Sequence, residues 1–121
     1  MNYDEIISVH RCAIDAVGLA KLQALLGNNE LARVHWGYAY DFLSIIYKHG
    51  FDLLSDGDKM RMLRNLAVCA HQTLNYEAVI SYMSEARKMS NDNLPDDLMH
   101  LELNAIKNQT VKKIIRTGFS R

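Results

Sequence analysis

The chain reads as an all-α protein, about five helices folded back on one another as antiparallel hairpins. Three observations predict this class. Apolar residues recur at the 3.6-residue spacing of amphipathic helices through most of the length. One proline and six glycines are too little punctuation for a many-stranded β protein. The polar breaks between the periodic stretches carry residues that end and start helices. With 121 residues, 49% of them hydrophobic, one core is expected over residues 1–121, since a second would need more surface to bury.

The first helix is expected from Tyr3 to Leu26, where Ile6, Ile7, His10, Ala13, Ile14, Val17 and Ala20 keep helical register. Gly27-Asn28-Asn29 closes it, because Gly and Asn tolerate the left-handed conformation of a C-cap. The second helix, about Asn29 to Lys48, is apolar nearly all round, from Leu31, Ala32, Val34 and Trp36 through Tyr38, Tyr40 and Phe42 to Ile46 and Tyr47. Such a helix is expected to lie sandwiched between neighbours. His49-Gly50 stops it, and the Ser55 to Asp58 spacing gives a weak capping box for a third helix running to about Leu74 through Met62, Leu63, Leu66, Ala67 and Ala70.

The fourth helix spans about Tyr76 to Met89 and ends in the polar loop Ser90-Asn91-Asp92-Asn93. Pro95 suits the first turn of a fifth, Asp96 and Asp97 suit its positive end, and Lys112, Lys113 and Arg116 suit its negative end. Leu98, Leu101, Ala105, Ile106, Thr110 and Ile114 supply its apolar face.

Composition narrows function mainly by exclusion. Fourteen Lys and Arg balance fourteen Asp and Glu, so no global field draws the chain to nucleic acid or to an anionic membrane. The opening Met1 to Glu5 is acidic where a secretory leader is basic, and no apolar run approaches the ~20 residues that span a bilayer, which predicts a cytoplasmic protein. Cys12 and Cys69 stand in apolar helical contexts and are expected as reduced, buried thiols. The histidines His10, His35, His49, His71 and His100 never fall four apart on one helix face, and Asp56-Gly57-Asp58 lacks the oxygen ligands of a calcium loop. No phosphate-cradling glycine loop or nucleophile elbow occurs. No metal, no cofactor and no catalytic residue is therefore expected, and the chain reads as a non-enzyme. Gly18 and Gly37, inside helices, indicate either close helix contact or simple tolerance.

Two hairpins can be laid over one another. Ala16, Leu19, Ala20 and Gln23 followed by Ala32 and Trp36 align with Leu63, Leu66, Ala67 and Ala70 followed by Val79 and Met83. This pattern resembles the tetratricopeptide repeat, in which small residues let two helices approach and large ones fill the gap between hairpins. The register departs from the family: the offset from Leu19 to Leu66 exceeds the usual repeat of about 34 residues, no proline closes either repeat, and Val79 replaces a small residue. The resemblance implies hairpins stacked as a solenoid, with the fifth helix as a polar cap. Glu77 to Ile106 is also similar to the end of bacterial transcriptional activator domains.

The resemblance further implies a groove formed by the first helix of each hairpin. Its positions map onto Ile14, Val17, Lys21, Ala24 and Leu25, then onto Arg61, Arg64, Val68, His71 and Gln72, with Asn65 beside them. Arg61 and Arg64 either hold carboxylates of a bound peptide or form a solvated face with Arg61 paired to a nearby acid. Most of the aromatic second helix is expected in the core, leaving Tyr40 and Tyr47 as candidates for a partner or homodimer interface. The implied function is a bacterial protein-binding adaptor or chaperone that holds a peptide or helix of another protein. The alternative is a transcription-linked regulator whose basic tail, Lys107, Lys112, Lys113, Arg116 and Arg121, touches nucleic acid.

Overall fold

A computed structural model of the chain describes residues 1–118. Five α-helices follow in order: α1 (Tyr3–Leu25), α2 (Asn29–His49), α3 (Asp56–Gln72), α4 (Tyr76–Met89) and α5 (Asp96–Gly118). A 3-10 turn, Phe51–Leu53, joins α2 to α3, and no strand occurs among the described residues.

Local chemistry sets the helix ends. The Asn2 side chain accepts from the Glu5 N–H at 2.9 Å, and the Glu5 carboxylate accepts from the Asn2 N–H at 2.9 Å, a complete capping box. The acidic opening is therefore a helix start. At Gly27, φ is 81°, and the Asn28 N–H reaches back to the Gln23 carbonyl at 2.8 Å. Ser55 caps α3 by accepting from the Asp58 N–H at 3.2 Å. The Asp58 carboxylate does not close the box; it accepts from Arg61 at 2.7 Å.

α3 ends at Gln72, short of the expected Leu74, because Leu74 itself turns left-handed with φ 63°. The Asn75 N–H then donates to the Ala70 carbonyl at 2.8 Å. A residue with a Cβ costs roughly 1–2 kcal/mol in that region, and this one is half exposed. Leu74→Gly is expected to raise stability by up to about 1 kcal/mol, read as a higher urea midpoint at unchanged m value.

α1 packs on α2 and α3 on α4 as two antiparallel hairpins; α2 lies against α3, and α5 packs on α4 and touches α3. Alanines make the first hairpin close: Ala13, Ala16 and Ala20 on α1 are buried, as are Ala32 and Ala39 on α2. One core cluster joins Ile6, Leu43, Ile46, Met62 and Leu66; the other joins Leu63, Val79, Met83, Leu94 and Leu98. Tyr40, Tyr47, Phe51 and Tyr82 pack against both.

Ion pairs fasten the C-terminal side. Arg87 forks onto the buried Glu102 through Nε at 3.1 Å and Nη2 at 2.5 Å, and its Nη1 holds Asp92 at 2.9 Å. This bidentate geometry fixes the angle of α5 on α4. Arg64 pairs with Asp97, which holds that carboxyl below the ordinary carboxylate range.

Several expectations are revised. α2 is not enclosed: Ala32, Ala39, Leu43 and Ile46 are buried, while Leu31, Val34, Tyr38 and Ile45 are exposed because no element among the described residues covers the outer side of the first hairpin. The same absence leaves Cys12 exposed, against the expectation of two buried thiols, and Leu19 exposed where its counterpart Leu66 is buried. α5 takes the terminal position on α4 with a mixed outer face: Met99 and Leu103 are exposed among polar residues, and of its expected apolar face Ile106 and Ile114 are exposed too. Gly18 has nothing near its missing Cβ, and Gly37 only Thr73 at 4.0 Å, so both are tolerated rather than required. The tight glycine is Gly50, where a Cβ would stand 2.8 Å from Ile6 Cδ1 and 3.1 Å from Met1 Sδ.

Cys69 is buried, which pushes its thiol up to about 11. In the native protein a thiol-specific disulfide reagent should therefore titrate Cys12 at once. Cys69 should react only in denaturant, because protonation and burial both withhold its thiolate. Two equally fast thiols would contradict this core assignment.

Candidate functional site

α1 and α3 run along one side of the molecule with α2 behind them, and between them lies a trough. One part, about 300 Å³, is lined by His10, Ala13, Ile14, Val17 and Lys21 of α1, by Asn65, Val68 and Cys69 of α3, and by Trp36 and Leu43 of α2. A wider recess of about 490 Å³ continues it toward the start of α1 through Tyr3, Ile6, Ile7 and Arg11, and along α3 through Asp58, Arg61 and Met62. The two share His10, Ile14 and Asn65 and so form one channel.

Helical periodicity builds these walls. On α1, Ala13, Ala16 and Ala20 face α2, which turns Ile7, Ile14 and Lys21, each seven apart, into the trough. On α3, Leu63, Leu66, Ala67 and Ala70 are buried, and Arg61, Asn65 and Val68 stand on the trough side. The walls are apolar and the rim is basic. Tyr3 and Ile14 are both more than half exposed, and Arg11, Lys21 and Arg61 carry cations along the edges. The Arg61 to Asp58 pair is itself a solvent-exposed contact at 2.7 Å, of the kind worth little, so a carboxylate from elsewhere can compete for the guanidinium.

Of the residues singled out from sequence, Lys21, Asn65 and Val68 line the 300 Å³ part, and Arg61 and Asn65 the wider recess. Gln72 continues the same side of α3, one turn beyond Val68, and is exposed but outside the lining. Arg64 and His71 turn the other way, toward α5: Arg64 onto Asp97, and His71 Nε2 onto Asn104 Oδ1 at 2.7 Å. The Arg61–Arg64 pair is thus divided between two surfaces.

Tyr40 and Tyr47 face α4. The Tyr40 and Tyr82 hydroxyls meet at 3.0 Å, and the Tyr47 hydroxyl donates to the Glu85 carboxylate. Burial, with Glu85 adding to it, pushes the Tyr47 phenol up to about 12; burial and the Tyr40 hydroxyl raise Tyr82 as well. Both half-buried rings are occupied inside the monomer. Reading by residue type missed Tyr3, Ile7, His10 and Arg11 as wall residues, although their spacing from Ile14 carried the signal.

Lys112, Lys113 and Arg116 gather with Gln109 against the α3–α4 turn, beside Glu77. Arg121 lies outside the described residues. No group of His, Cys, Asp or Glu able to hold a metal ion occurs among the described residues, and among them no helix is long and apolar enough to cross a membrane. Compared with protein-family models, with curated proteins and with solved structures, the chain matches none.

Proposed function

We propose that the chain is a non-enzymatic, protein-binding adaptor or chaperone that seats a segment of a partner protein in the trough between α1 and α3. The observation that carries this reading is the continuous apolar channel with a basic rim. Its length suits an extended peptide or one amphipathic helix, and an apolar face that docks in such a groove is a common mode of peptide recognition. The rim cations Arg11, Lys21 and Arg61 favour a segment with acidic residues flanking its apolar anchors. The likeness to tetratricopeptide hairpins supports the same face, and a solenoid-like stacking of the hairpins in a bacterial, cytoplasmic setting belongs to the same proposal.

The test is copurification from the native cell, comparing the unmodified chain with Lys21→Glu, Arg61→Glu and with Leu103→Glu on α5. Loss of one partner protein with the rim variant, and its retention with the α5 variant, is the expected result. Equal recovery by all three would remove the trough from the account.

A second reading, a transcription-linked regulator, has the cations Lys112, Lys113 and Arg116 in its favour. It requires duplex DNA binding that weakens steeply with salt as counterions are released. On the first reading, random duplex is not shifted.

A further inference from the structure

The first hairpin carries a second apolar surface, on the side away from α3 and α4. On α2 it is a stripe of Leu31, Val34, Tyr38 and Ile45, each between 42% and 52% exposed. Asp41 and Lys48 complete the row. In the same hairpin Leu19 and Leu22 of α1 and its C-cap Leu26 are exposed as well. Isolated exposed leucines need no explanation, but apolar residues repeated along one helix face are the kind of surface that marks an interface.

The row 31, 34, 38, 41, 45, 48 alternates steps of three and four, which is the seam of a coiled coil. Ala32, Ala39, Leu43 and Ile46 hold the opposite face of α2 in the core, so the seam cannot rotate inward. Two of its six positions are charged, with opposite signs.

We propose that this face pairs with the same face of a second copy of the chain, antiparallel, to form a two-fold homodimer. With the axis between Tyr38 and Asp41, Val34 meets Ile45, Tyr38 meets Asp41 and Leu31 meets Lys48, each twice. The Tyr38 hydroxyl then donates to the Asp41 carboxylate of the other copy. The Lys48 stem covers Leu31 while its ammonium stays in water. No like charges oppose one another, whereas a parallel pairing would set Asp41 against Asp41 and Lys48 against Lys48. The self-complementarity is what an isologous contact demands, and the zero formal net charge leaves no long-range repulsion between copies. Leu19, Leu22 and Leu26 widen the contact beyond the seam. This face is separate from the trough, so the dimer stands or falls independently of partner binding.

Sedimentation equilibrium on the full chain, from about 1 μM to about 1 mM, is expected to show a monomer–dimer equilibrium. Val34→Glu with Ile45→Glu, two exposed positions whose change leaves the core intact by circular dichroism, should weaken it on the order of 100-fold. Register is read separately in a Cys12→Ser background: an equal mixture of Tyr38→Cys and Asp41→Cys chains should form the mixed disulfide faster than either chain forms its own. A monomer at every concentration, a dimer untouched by the glutamates, or cross-linking without that preference would each overturn the proposal.

Discussion

Leu66→Ala is expected to cost about 3–5 kcal/mol of folding stability, the upper part of the range for removing a fully buried leucine. Leu66 has no exposed surface and lies in the cluster that joins α1 and α2 to α3. Its cluster mates Met62 and Cys69 on α3 and Leu43 on α2 are themselves held by helix backbone, so the space left behind cannot collapse freely. Against a total of about 5–15 kcal/mol for an ordinary domain, one such change should be visible as a large fall in the denaturant midpoint. Leu19→Ala, at the matching place in the first hairpin but 45% exposed, is expected to cost less than about 1 kcal/mol, measured at low protein concentration. Equal losses would mean that the two hairpins are buried alike, contrary to the open outer side of α2.

Val68→Glu is expected to weaken partner binding by about 100-fold while leaving the monomer folded. Val68 lines the trough midway along α3 yet keeps partial exposure, so a carboxylate there reaches solvent in the free protein. With the trough filled, the same carboxylate loses that water and faces apolar anchors, a penalty of the size that separates a central contact from a rim contact. Gln72→Glu, one turn along on the same side but outside the lining, is expected to change affinity by only a few-fold. Calorimetry with the copurified partner distinguishes the two positions.

How much of this was legible in the sequence depends on what decided each feature. The helices follow from spacing and caps that act within a few residues: Ser55, Gly27 and the polar loop after Met89 announce themselves locally, while the Asn2–Glu5 box, equally local, went unread behind the acidity of the opening. Leu74 does not, because a left-handed leucine is chosen by the fold and disfavoured by its own Cβ. On α1, Ile14, Val17 and Lys21 were legible as wall residues, whereas Ile7 and Tyr3 were not singled out although they continue the Ile14 spacing backward. On α3, two adjacent polar faces are indistinguishable until α5 docks, and only that docking sends Arg64 and His71 to Asp97 and Asn104 while leaving Arg61 and Asn65 at the trough. The aromatics of α2 were ambiguous for the same reason. Tyr40 and Tyr47 find hydroxyl partners on α4, whereas Tyr38, two residues from Tyr40 and on the other side, faces solvent.

The measurement that tests the central claim most directly is photo-cross-linking in the native cell, with a photoreactive residue placed at Val68 in one chain and at Leu103 on α5 in another. Capture of a partner segment between α1 and α3 predicts a discrete protein adduct from position 68 and none of that mass from position 103. An adduct from position 103 alone, or no adduct from position 68 while the same partner still copurifies, would contradict it.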